Sequence, residues 1–298
     1  MKKLVLILLP IALMMNVSCE KPNNNPSDED DGVLPMENIA YGSHVRQIMD
    51  ISLPSSAGAD KEVPIILCIH GGSWSGGDKT DFDEMKEVIH NFNCAYVTIN
   101  YRLIPDGAIY SDMMEDIRLA VAYLKNNGKK YHLKTDKLAI VGSSAGGHLA
   151  LLYAYTVNSP IRVSCLSSQV GPTDFTDPGQ IALNGNEMFM LMNMFLGTNI
   201  TPADITQDGF KFPASWYAAS PIFHVDKNSP PTVLAYGMKD ELVSFTNATR
   251  LNDTLQTYGV DHHLVLYPNS GHGLDKDADK TAEYSLKLVS FLNTYLLQ

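Results

Sequence analysis

The sequence predicts an α/β fold: a mostly parallel central sheet with helices on both faces. Short apolar runs of the kind that fill a sheet buried on both sides, such as "VPIILCI" and "TVLAYG", recur along the chain, and amphipathic helical patterns stand between them. At 298 residues, 45% hydrophobic and 18% charged, the chain can bury one large core. A net charge of -11 leaves no basic stripe to neutralise phosphates, which argues against a nucleic-acid partner.

The first residues stand apart from that pattern. Lys2 and Lys3 precede the apolar stretch "LVLILLPIALMM", and "NVSC" follows, which reads as a signal peptide over residues 1–18. The apolar run is short for a bilayer span, which needs about 20 residues. Its end resembles a bacterial lipobox with Cys19 as the lipidated first residue of the mature chain, although Asn16 replaces the usual leucine. Residues 19–35 are polar, acidic and broken by proline, as expected of a flexible tether. The "SDEDD" within them resembles export signals of surface lipoproteins, and serves equally as a solvated spacer on the periplasmic face. An outer-membrane lipoprotein is the expected location.

From Met36 to residue 298 the elements alternate. "QIMDISL" and "VPIILCI" read as strands. "FDEMKEVIHNF" places Phe82, Met85, Val88, Ile89 and Phe92 on one helical face. "CAYVTINY" is a strand, and "DMMEDIRLAVAYLKNNG" is an amphipathic helix closed by Gly128. "KLAIV" is a strand leading into the buried helix "GGHLALLYAYTV". "IRVSCLS", "TVLAYG" and "HLVLYP" are further strands, with a helix from Asn247 to Tyr258 and another over the last twenty or so residues. Between about 173 and 220 no strand pattern occurs, and the stretch is too long for a plain connection, so it is predicted to be an inserted cap. Met188 and Met192 fall at helical spacing there and are candidates to face a substrate. Cys68, Cys94 and Cys165 each lie in an apolar run as small buried hydrophobes. The sequence does not decide whether Cys68 and Cys94 pair.

The chemistry is written at the end of "KLAIV". A hydroxyl lifted above the carboxyl end of a strand needs a very tight strand-to-helix turn, and glycine two residues to either side relieves the crowding. Gly142 and Gly146 flank Ser144 in this way, whereas Val141 and Ala145 would flank Ser143. Ser144 is therefore the candidate nucleophile of a G-x-S-x-G elbow. Serine needs a base, and the base needs an orienting acid. His272, in a glycine-flanked loop after "HLVLYP", is the histidine at the right strand end; His148, His224, His262 and His263 are not. The acid should follow "TVLAYG". Asp240 leads, Glu241 is its neighbour, and Asp275 has the wrong chain order. The developing oxyanion needs preorganised donors. The amides of Gly72 and Ser73, in "HGGSW" after "VPIILCI", and of Ala145 after the nucleophile are the candidates.

With "HGGSW…GGDK" from His70, "NYRL" from Asn100, "GSSAGGHLA" from Gly142, "GPTDF" from Gly171, "SPPTVLAYGMKDELV" from Ser229 and "GHG" from Gly271, the chain resembles the α/β-hydrolase superfamily. More narrowly it resembles carboxylesterases of the hormone-sensitive-lipase and bacterial feruloyl/acetyl-esterase type. The resemblance implies a serine carboxylesterase that needs no metal or organic cofactor, acting on short-chain or aryl esters such as acetyl or feruloyl groups on polysaccharides. Arg102 and Asp116 resemble a structural pair. Ser73 stands where many relatives carry a third glycine, and with it Trp74 is expected to narrow the mouth of the site as part of the substrate-binding surface. "HGG-x-W" also resembles kynurenine formamidase, so an arylformamidase, amidase or peptidase on the same residues stays open. So does a non-catalytic glycan-binding lipoprotein.

Overall fold

The computed structural model describes residues 36–183 and 185–298, so the signal, the tether and Cys19 lie outside the described residues. Eight strands form one sheet: β1 (Met36–Ala40), β2 (Ile48–Ser52), β3 (Val63–Ile69), β4 (Ala95–Ile99), β5 (Leu133–Ser143), β6 (Arg162–Gln169), β7 (Thr232–Gly237) and β8 (His262–Tyr267). Their order is β1-β2-β4-β3-β5-β6-β7-β8. β1 and β2 pair antiparallel, as do β2 and β4, and the remaining pairs are parallel. The helices are α1 (Lys86–Asn91), α2 (Tyr110–Asn127), α3 (Ala145–Thr156), α4 (Pro178–Leu183), α5 (Asn186–Leu196), α6 (Pro202–Ile205), α7 (Ala214–Ala218), α8 (Phe245–Tyr258) and α9 (Ala278–Phe291).

Side chains alternate across a strand, so a sheet covered on both faces needs apolar residues at every position. In β3, Ile65, Leu67 and Ile69 join the larger core, with residues of α2, α3 and α8. Ile66 and Cys68 join the other core, with α9 and the Phe82–Ile89 stretch. That is why "VPIILCI" lacks polar alternation. The chain leaves β3 for β4 on one side and reaches β5 on the other, so the strand order reverses there, and ligands gather at such reversals beyond the carboxyl ends. Register brings the ends level: Ile69 lies opposite Gly142, Ser143 opposite Gln169, and Gly237 opposite Tyr267.

Several local expectations are corrected. β1 is an additional edge strand with little burial and no readable alternation. Residues 79–85 form a 3-10 helix before α1 begins, capped by Asp78. α2 is not closed at Gly128, which keeps right-handed helical angles. The chain continues as a 3-10 turn to Tyr131, and His132 takes the left-handed conformation. α8 starts at Phe245, with Ser244 as its cap, rather than at Asn247. Cys68, Cys94 and Cys165 are all buried and free. Cys68 pairs across to Thr98, four residues along from Cys94, so the two sulfurs are not opposite each other. The stretch from 173 to 220 holds α4 to α7 and no strand among its described residues.

Candidate active site

The turn after β5 is as tight as the glycines imply. Ser144 has φ 53° and ψ −122°, a backbone conformation that costs a side-chain-bearing residue about 1–3 kcal/mol. A Cβ at Gly142 would meet the Gly146 carbonyl oxygen at 2.3 Å, and one at Gly146 would meet the Ile69 oxygen at 2.0 Å. No side chain fits at either place. α3 then begins at Ala145, whose amide belongs to the first turn, where N–H groups have no acceptor within the helix. Ser143 is buried, and its hydroxyl does not line the pocket.

Three side chains distant in sequence meet above the strand ends. His272 Nε2 lies 2.9 Å from Ser144 Oγ, and His272 Nδ1 lies 2.8 Å from Asp240 Oδ2. With a carboxylate at Nδ1, that nitrogen carries the hydrogen and Nε2 presents its lone pair to the serine hydroxyl. The Asp240 side chain is wholly buried, and its other oxygen accepts the Leu242 and Val243 amides at 2.8 and 3.0 Å. Glu241 and Asp275 are exposed. His148 is buried under the pocket with Nε2 donating to the Ala219 carbonyl at 2.7 Å, and His224 contacts the Ala218 carbonyl.

The loop after β3 rests on the elbow: a Cβ at Gly71 would come within 3.2 Å of Ser144 Cβ. Gly72, Ser73 and Trp74 all take positive φ, at 104°, 53° and 56°. Successive backbone amides in a turn of this kind can form an anion-binding concavity. Ser73 and Ala145 line the pocket together with Ser144 and His272; Gly72 lies behind them, its carbonyl accepting from the Ser75 and Gly76 amides. His70 holds the loop. Its Nδ1 donates to the Gly71 carbonyl at 2.7 Å, its ring stacks on Tyr101 at 4.4 Å, and burial pushes its pKa down to about 4. Arg46 completes the brace, donating to the Tyr101 and Gly77 carbonyls and approaching His70 Nε2 at 3.4 Å. Nothing in the sequence singled out Arg46, because its three partners lie 24 to 55 residues away. Arg102 and Asp116 form the expected structural pair, with the guanidinium on a fully buried carboxylate at 2.7 Å.

The pocket beside Ser144 is closed by Trp74, Pro172, Phe175, Gln180, Met188, Met192, Leu242 and Val243. Met188 and Met192 thus face it as expected. Trp74 lines the pocket from within. It is buried as an inner wall, stacked on Phe195 at 4.3 Å and edged by Phe175 and His148, because those α5 and loop aromatics offer its indole a dry slot. The cavity is small, ≈ 30 Å³. Among the described residues no cluster of His, Cys, Asp and Glu could hold a metal ion.

Sheet order, elbow and loops at the strand ends define an α/β-hydrolase. Within that class the chain belongs to the BD-FAE family, which matches residues 49–255. It is 24% identical over 243 residues to a probable isoprenylcysteine alpha-carbonyl methylesterase of Arabidopsis thaliana, covering 78% of this chain and 50% of that protein. It is 28% identical over 252 residues to a probable carboxylic ester hydrolase of Mycobacterium tuberculosis, covering 80% and 56%. The chain therefore spans about half the length of these relatives. In fold it is similar to a truncated carbohydrate esterase from gut microbiota, with TM-score 0.69, 20% identity and coverage of 87% of this chain and 98% of that one. It is also similar to a thermophilic esterase of Thermogutta terrifontis, with TM-score 0.66, 18% identity and coverage of 82% and 86%.

Proposed function

We propose that the protein is a serine carboxylic ester hydrolase. The observation that carries this is the unbroken line from Asp240 through His272 to Ser144, with both hydrogen bonds under 3 Å. His272 Nε2 takes the proton of Ser144 Oγ as the oxygen attacks the ester carbonyl. The amides of Ala145 and Ser73, with Gly72 behind, receive the oxyanion. The imidazolium returns its proton to the departing alkoxide, leaving the acyl group on Ser144. A water molecule, deprotonated by the same imidazole, then releases the acid. Asp240 fixes the imidazole tautomer and stabilises its charged form.

The acyl group is short. A cavity of ≈ 30 Å³ holds about two water-sized groups, which favours acetyl over a feruloyl ring. Acetyl groups on a polysaccharide are the substrate class we favour. The carbohydrate esterase among the structural neighbours supports that choice, as does the anchored, exported location inferred from Cys19 and the residues before it. The β6–β7 segment serves as a cap that walls the acyl side. Hydrolysis of p-nitrophenyl acetate, acetylated xylan, methyl ferulate and an aryl formamide tests the assignment. Acetyl esters are expected to turn over, and Ser144→Ala is expected to lose about 10⁴–10⁶-fold in kcat. Equal rates for wild type and Ser144→Ala would remove the serine mechanism; turnover of the formamide alone would replace the ester by an amide.

A further inference from the structure

Gln180 is the one buried amide side chain among the described residues lining the pocket, and it does not belong to the strand ends that carry the site. It comes from α4, in the segment between β6 and β7. Its Oε1 accepts the Ser244 amide at 2.9 Å, and its Nε2 donates to the Leu242 carbonyl at 2.9 Å. It therefore grips both sides of Val243. The same short stretch supplies the Leu242 and Val243 amides that hold Asp240 Oδ1, while Asp240 Oδ2 holds His272. Hydrogen bonds run without a break from α4 through residues 242–244 to the carboxylate, the imidazole and Ser144.

The support under Gln180 is itself fixed. Asp177, one turn earlier, accepts from the Thr246 hydroxyl and, at 3.0 Å, from the Asn247 side chain. Asp174, a turn before that, is fully buried and paired with Arg250 at 2.6 Å. The Thr173 and Asp174 amides both bond to Asn247 Oδ1. The start of the segment is thus fastened to the first turns of α8, directly behind the loop that carries Asp240.

We propose that Gln180 is a positioning residue: it sets the backbone of 242–244 and through it the Asp240 carboxylate against His272. This rests on the serine mechanism above. The carboxylate must be placed to within about 1 Å, and a displacement of that size costs on the order of 10²-fold in rate.

Gln180→Met fills the same space and makes neither hydrogen bond. On p-nitrophenyl acetate it is expected to lower kcat about 10- to 100-fold while KM stays within about 3-fold. A group acting through Asp240 has nothing left to position once that side chain is gone. Adding Gln180→Met to Asp240→Ala is therefore expected to cost less than about 2-fold further. If Gln180→Met does not fold, Gln180→Glu, which keeps the acceptor and loses the donor, takes its place in the same cycle. An unchanged kcat, a change in KM instead of kcat, or an equal loss in both backgrounds would overturn the proposal. Ser144→Ala, measured alongside, tells this failure from failure of the serine mechanism, since only the latter leaves Ser144→Ala active.

Discussion

The elbow at Ser144 and the segment from Thr173 to Ser220 meet across one small pocket, but they are held by opposite means. The elbow is fixed by what cannot be there. At Gly142 and Gly146 the neighbouring carbonyl oxygens leave no space for a Cβ, and the backbone has one path. The segment is fixed by what is there: Asp174, Asp177 and Gln180 bond to α8 and its preceding loop, Phe195 stacks on Trp74, and Phe175 meets Trp74 edge-on. A steric constraint tolerates nothing, whereas a network of contacts tolerates partial loss. The first should fail all at once and the second by degrees.

Gly146→Ala tests the first half. Its Cβ would lie 2.0 Å and 2.4 Å from the Ile69 and His70 oxygens, so β3 and α3 must part. A loss above about 4 kcal/mol is expected, seen as failure to unfold cooperatively in urea; a folded, stable variant would show that the elbow has slack. Acid should act where the elbow meets its surroundings, since His148 joins the elbow helix to the segment through the Ala219 carbonyl. Burial holds His148, under the pocket, and His70, in the oxyanion loop, down to about 4. The unfolded chain binds those protons near pH 6.5, so the stability they contribute is whole above about 6.5 and is lost as pH falls toward 4. The expected slope reaches about 2–3 kcal/mol per pH unit with both groups. His148→Gln, which still offers a donor to Ala219, should roughly halve the slope in urea titrations between pH 7 and 5. Met192→Ala is the mildest change. It should cost about 2 kcal/mol and raise turnover of the butyryl ester relative to the acetyl ester; an unchanged ratio would mean that α5 does not bound the acyl group.

The same contrast explains what could be read in the residues alone. Steric demands leave a short-range signature, so Gly142, Ser144 and Gly146 stood out in five letters. Strand ends are equally local, which is how His272 is separated from the other histidines and how the acid is narrowed to Asp240 or its neighbour Glu241. The slot that buries the Trp74 indole was not legible, because it is made by Phe175 and Phe195, more than a hundred residues on. Gln180 passed unnoticed, although "DFTDPGQ" spaces Asp174, Asp177 and Gln180 three apart, which on a helical turn is one face. β1 escaped because an edge strand with exposed residues on both sides has no apolar rhythm to betray it.

Cys68, Cys94 and Cys165 add a consequence of a different kind. All three sit unbridged in the interior, and burial pushes their thiols up, Cys94 and Cys165 to about 12 and Cys68 further. Only the thiolate exchanges with disulfides or reacts readily with oxidants. Once folded, the architecture from residue 36 onward thus keeps these three thiols out of reach of disulfide exchange and of most oxidants.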